Sequence, residues 1–429
     1  MAPQPFNVFQ RVMRLWDRVH PYNAGQVIRL TRPIDADRWV HAWPRTLSRL
    51  GLGPVQIRDG AYRFLPPDEA SGSDPCLIDV DLHSWLTGEL NRPFAESDEM
   101  PFRPFVHPAG HVGIIYHHWA ADSVSIRLLL REWFLAVHDP ARCRTEPIPH
   151  PAGGYWRYFG PTAAGWALHE GALSLLRLRT RFGRVRRIAE QSPADHRVAF
   201  SLHETAPGLA PRLLRAAQCR GIKVNDLFTA AVAEACDQQG VNPPAPGRED
   251  LAIGTIVDIR PQSRRLPVDT FGMFLGFTTT IFRGADLRAW PRLLASAAAQ
   301  SDLFRRTRAA SASVLRLGVG VAEARLYDPQ RWSARYRVQM PMAAGLSNVT
   351  LQGTWASAYH PEPVLDYFRV SPTSPLLPVV FTPTTLGDRL NLGLTRQVAL
   401  IDEARASRMI SQVMDRIHRV AEGSREHSR

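Results

Sequence analysis

The run Tyr116-His117-His118-Trp119-Ala120-Ala121-Asp122-Ser123-Val124-Ser125 holds the residue types in this chain best suited to chemistry. An imidazole has an ordinary pKa of about 6.5, so it takes a proton from a hydroxyl or amine near neutral pH. Neighbouring residues on a strand point to opposite faces, so His117 and His118 do not both face one site while extended, and one of them is structural. Asp122, four residues beyond His118, is placed to order the loop or to pair with an arginine elsewhere. His-His-x-x-x-Asp lacks the helical histidine spacing of a metal site and offers no obvious third ligand, so no metal is expected. The chain carries no Gly-x-Ser-x-Gly elbow, no Gly-x-x-x-x-Gly-Lys phosphate loop and no dinucleotide fingerprint. Chemistry without a covalent enzyme intermediate is then the simpler expectation, with His118 activating an acceptor directly. The bland alternative is a pair of core histidines in a packed turn.

The elements that must position this run are legible around it. Val112 to His117 is a nearly continuous apolar strand, and Ser123 to Val137 has the pattern of a largely buried helix. Upstream, the pattern predicts a helix over 8–19, a strand over 26–34, a helix over 37–50 and a β-hairpin turning at Asp59-Gly60. Pro140 to Gly160 reads as a linker or crossover loop. The second half opens with a strand at Val198 to Leu202. Helices follow over 210–220 and 226–238, the latter with Asn225 as N-cap. Strands are expected at 251–259, 277–282, 345–351, 365–370 and 389–395, with a helix capped by Asp286 and a final one capped by Asp402. Each half mixes strands with helices, giving a mixed α/β (α+β) class, with the boundary placed at 175/176.

The 429 residues carry 52 Lys+Arg against 40 Asp+Glu, a net charge of +12, and 45% are hydrophobic, a globular balance. Lys223 is the only lysine, so the basic charge is almost all arginine. That bias fits genome composition, while the positive surface still favours acidic partners. No apolar run reaches the roughly 18–20 residues that span a bilayer, and the first 14 residues lack a secretory apolar stretch, so a cytoplasmic protein is expected. Cys76, Cys143, Cys219 and Cys236 are too dispersed for a disulfide framework or a structural zinc site and are expected as free thiols. The arginines from 177 to 187 lack interleaved aromatics beyond Phe182 and read as a solvated face. If functional, they suit a carrier protein, coenzyme A phosphates or a membrane surface. Trp133, Trp166 and Trp290 read as core.

His117-His118-x-x-x-Asp122, between an apolar strand and a Leu-rich helix, resembles the HHxxxDG motif of the chloramphenicol-acetyltransferase-like superfamily. That superfamily includes nonribosomal peptide condensation domains, BAHD-type acyltransferases and wax ester synthases. The resemblance covers most of the chain. Leu90 to Phe94 and Pro101 to Phe105 look like the approach to the motif. Val224-Asn225-Asp226, Gly254 to Arg260 with Phe271 to Gly276, and Leu346 to Val349 are similar to later segments in the same order. The resemblance implies two lobes forming a pseudo-dimer around an inter-lobe tunnel, with His118 as general base, His117 structural and Asp122 paired with Arg260 across the lobes. Ser123, Trp119, Ser347 and Asn348 would line the tunnel. Ser123 stands where the family has glycine beside the reacting centre. The implied reaction moves an acyl group from a pantetheine thioester, on an acyl or peptidyl carrier protein or on coenzyme A, to a hydroxyl or amine of a small molecule. No cofactor is bound in that scheme; acyl-phosphopantetheine is a co-substrate. A catalytically degenerate carrier-binding module of the same fold and a basic nucleic-acid-binding protein are the alternatives.

Overall fold

The computed structural model describes residues 3–423 except 67–73, 97, 151–155, 177, 189–194, 264–265, 268, 352–363 and 375. Two main sheets organise the described residues. The first orders Val364–Val370, Asn23–Leu30, His111–His117, Phe102–His107 and Cys76–Leu77, antiparallel except at the last pair. The second runs Leu275–Phe282, Leu251–Asp258, Ala344–Leu346, Val379–Leu386, Arg389–Gln397 and Val198–Glu204, with Val349–Leu351 added parallel to Val379–Leu386. This is the mixed α/β, two-lobed architecture expected. Sheet membership does not follow chain order, because Val364–Val370 comes from the second half and forms an edge of the first sheet.

Local chemistry explains most element ends. The Val55–Arg58 and Ala61–Phe64 strands meet at Asp59 and Gly60, whose φ values of 49° and 72° suit a tight hairpin. The Ser123–His138 helix begins where the Asp122 carboxylate accepts the Val124 and Ser125 amides. Its faces are covered on several sides: Trp133 packs against Trp39 and Trp43 of the Ala36–Leu50 helix.

Several expectations are revised. A helix, Trp156–Leu176, starts inside the expected linker. The 226–238 helix begins at Val224, and Lys223 rather than Asn225 precedes it, because Asp226 reaches back to accept the Lys223 amide at 3.0 Å. Asp286 lies in a turn before the Trp290–Arg306 helix and caps nothing. The 345–351 strand is two pieces, Ala344–Leu346 and Val349–Leu351. The Leu82–Asn91, Ala309–Glu323 and Pro329–Gln339 helices and the Val379–Leu386 strand complete the fold.

Trp133 is core, but Trp166 is exposed and Trp290 is half-buried beneath the Arg416 guanidinium. Cys143 and Cys236 are buried and Cys76 and Cys219 exposed, all as free thiols. Of the arginine run, Arg184 is exposed, whereas Arg186 is buried against Asp237 at 2.5 Å and Arg181 donates to the Thr279 carbonyl. These two tie the connecting segment to the second lobe instead of forming a solvated face; Arg177 and the Arg179 side chain lie outside the described residues. No helix among the described residues is long and apolar enough to cross a membrane.

Candidate active site

A cavity of about 1230 Å³, solvent space at its opening included, lies between the lobes. Its wall takes Tyr22, Tyr116, His118, Ser123 and Arg127 from the first half and Gly254, Asp258, Phe277, Ser347, Asn348 and Arg369 from the second.

The strand and helix around the motif place its two histidines differently. His117 ends the strand and is buried; its Nδ1 accepts from the Trp119 indole at 3.0 Å, its Nε2 lies 3.1 Å from Asp17, and its ring stacks on Phe94. His118, one residue past the strand, is half-buried and faces the cavity. Its amide bonds the Tyr22 carbonyl at 3.1 Å, and its ring lies parallel to Tyr22, 5.6 Å between centroids. Tyr116 meets the same ring edge-on. His118 Nδ1 is 3.2 Å from the Ala121 carbonyl, an acceptor only, so Nδ1 carries the proton and Nε2 the lone pair. Burial pulls this imidazole below its ordinary pKa, and the charge of Arg369 pulls the same way. The Ala121 bond and the charge of Asp122 oppose them.

Asp122 is fully buried and makes no hydrogen bond to His118. Its carboxylate accepts from the Val124 and Ser125 amides, the Ser125 hydroxyl, the Phe274 amide and both terminal nitrogens of Arg260, the last at 2.7 and 3.0 Å. Burial alone would raise its pKa, but the Arg260 charge and these bonds hold it below the ordinary carboxylate value. The expected Asp122–Arg260 pair is therefore present, reaching across 138 residues, and it ties the motif loop to the second half. The Gly272 carbonyl and amide complete the tie through the Asp122 amide and the Ser125 hydroxyl. Asp122 is by geometry a positioning residue.

Ser123, Ser347 and Asn348 line the cavity as expected. Trp119 does not: it is buried among Phe6 and Tyr62, and its indole is committed to His117. The turn after His118 swings the next side chain away from the cavity into the first lobe's core. Three contributors escaped sequence reasoning. Gln26 holds the Ser123 carbonyl at 2.9 Å, Tyr22 flanks the imidazole, and Arg369 donates to the Ser123 hydroxyl at 3.1 Å. The one available signal was an arginine inside the otherwise apolar Tyr367-Phe368-Arg369-Val370.

No family model matches the chain, and no curated protein matches its sequence. Solved structures do match. The first condensation domain of the calcium-dependent antibiotic synthetase, in complex with a substrate analogue, aligns over 98% of this chain and 97% of its own at 14% identity, TM-score 0.68. This chain has the condensation-domain fold. The epimerization domain from the third module of tyrocidine synthetase B aligns over 98% and 96% at 12% identity, TM-score 0.64. The SgcC5 protein from Streptomyces globisporus, solved with a naphthyl ethanediol and sucrose, aligns over 97% and 98% at 15% identity, TM-score 0.61.

Proposed function

We propose that this condensation-fold protein moves an acyl group from a pantetheine thioester, on a carrier protein or on coenzyme A, to a hydroxyl or amine acceptor. The observation that carries the reading is His118, half-buried in a cavity shared by both lobes. Its Nδ1 is tied to Ala121, and its Nε2 has no partner among the described residues. Likeness to a condensation domain solved with a substrate analogue supports it, and the net positive charge suits an acidic carrier protein.

In this scheme donor and acceptor enter from opposite faces and meet at His118. The acceptor oxygen or nitrogen attacks the thioester carbonyl carbon as its proton passes to Nε2. The C–S bond then breaks, and the thiolate takes that proton. General base work of this kind contributes about 10²–10⁴-fold. The rest comes from alignment of two bound substrates and from donors to the oxyanion, for which Ser347 and Asn348 are on the wall.

Mass spectrometry of the purified protein with a panel of acyl-thioesters and nucleophiles tests the proposal. Product should form with the wild type, and His118→Ala should abolish it with an unchanged circular dichroism spectrum. Near wild-type rates in that variant defeat the mechanism. One observation favours a second reading, a non-catalytic carrier-binding module: the Ser123 side chain, with Arg369 on it, occupies space beside His118 that the motif glycine leaves open. Carrier binding without turnover in the wild type, with turnover gained in Ser123→Gly, would select it.

A further inference from the structure

The cavity wall carries positive charge that no described residue on it neutralises. Arg369 is 4% exposed, yet among the described residues its guanidinium reaches only neutral acceptors. One terminal nitrogen donates to the Ser123 hydroxyl at 3.1 Å and the other to the Ser347 carbonyl and, at 3.2 Å, the Ser347 hydroxyl. Its Nε has no partner, and no carboxylate pairs with it among the described residues. Arg127, one turn past Ser123 on the same helix, lines the same cavity and likewise has no carboxylate partner among the described residues. The single acid among the described residues of that wall, Asp258, is taken up by Arg260 through its guanidinium at 3.3 Å and its amide at 3.0 Å. Burial lowers the pKa of Arg369, and the Arg127 charge adds to this against the two tyrosines nearby. Burying a guanidinium costs free energy that neutral acceptors only partly offset, and an anion entering the cavity would offset it.

We propose that Arg369, with Arg127 beside it, is the subsite for a carboxylate on the acceptor, which it holds so that the acceptor's nucleophile meets His118. The word acceptor rests on the acyl-transfer reading; the anion site does not. Two features narrow the ligand. Phe9, Met13, Trp16, Leu317 and Met342 form apolar wall in the same cavity, suited to an alkyl or aromatic body. Arg369 sits against Ser123, beside the imidazole, where an acceptor must lie. The phosphate of a pantetheine arm is the whole arm's length from its own thioester, so it does not reach Ser123 while that thioester is at His118. The guanidinium fork matches a carboxylate in two parallel bonds.

Titration calorimetry of the full chain with 3-phenyllactate and its neutral amide, 3-phenyllactamide, tests the subsite without requiring turnover. The wild type should prefer the carboxylate by about ten-fold or more, the scale of one charge-assisted contact. R369Q should erase that preference and R369K keep part of it. H118A should retain it in full, which separates failure of the anion site from failure of the acyl-transfer mechanism. Equal affinities in the wild type, absence of saturable phenyllactate binding, or a preference that survives R369Q overturns the proposal. Should R369Q not fold, R127Q replaces it: a reduced preference supports the subsite, and an unchanged one in both R127Q and R369K overturns it. Displacement of phenyllactate by inorganic phosphate or coenzyme A at equal concentration would assign the site to a phosphate and overturn the carboxylate.

Discussion

At the scale of single residues, the site separates a group free to react from groups that only hold it. His118 Nε2 is open to the cavity, while Asp122 spends every acceptor position on its helix, Phe274 and Arg260. Removing Asp122 leaves the buried Arg260 charge with only the longer contact to Asp258, at 3.3 Å, and strips the Phe274, Val124 and Ser125 amides of their acceptor. Asp122→Ala should therefore lower unfolding stability by about 3–5 kcal/mol, measured by denaturant titration. A loss of rate with no loss of stability would contradict the positioning role. The imidazole makes a separate prediction. A general base must be neutral, and burial depresses the His118 pKa. In a pH–rate profile the acidic limb of kcat/KM should thus fall below the ordinary histidine value of about 6.5, with activity lost as pH drops through it. R369Q, by removing a nearby positive charge, should move that limb upward. A limb above the ordinary value would mean another group titrates.

At the scale of elements, the second lobe's wall depends on close backbone contact. Gly276, on the Leu275–Phe282 strand, faces the Ala309–Glu323 helix so tightly that an added Cβ would lie 2.7 Å from the Ala310 carbonyl carbon. Gly276→Ala should push that helix away and cost about 1–3 kcal/mol in thermal or chemical unfolding. It should also raise KM, because Phe277 and Leu317 of the displaced pair line the cavity. An unaltered melting temperature would show that the contact yields without strain. The two-piece strand around Ser347-Asn348 shows the limit of periodicity. Apolar alternation marked the region as extended, but the pairing needed to see its break comes from Val379–Leu386, far along the chain.

For the molecule as a whole, the two lobes are not independent. The largest core cluster joins Val12, Tyr116 and Trp119 to Phe271, Phe277, Leu317 and Tyr367, and the Val364–Val370 strand closes the first sheet. Scanning calorimetry should accordingly show one cooperative transition with calorimetric and van't Hoff enthalpies equal. Two resolved transitions would mean the shared core contributes little.

The amino-acid sequence by itself determined what depends on near neighbours: the apolar strand, the helix after it, the ordering of the motif loop by Asp122, and the presence of two adjacent histidines of which one alone faces a site. Capping and periodicity act over a few residues, so these features were legible, and the motif resemblance added the Arg260 partner and the order of the lobes. Tertiary structure decided the rest. Trp119 turned into the core because the loop reverses after His118; the Asp286 and Asn225 caps, by contrast, gave way to competing local bonds, the 283–289 turn and the Asp226 carboxylate on the Lys223 amide. Arg369, 246 residues from Ser123, reaches the cavity only because a strand from the second half crosses to the first sheet. Burial and charge compensation are properties of that assembled neighbourhood, and no local stretch of chain carries them.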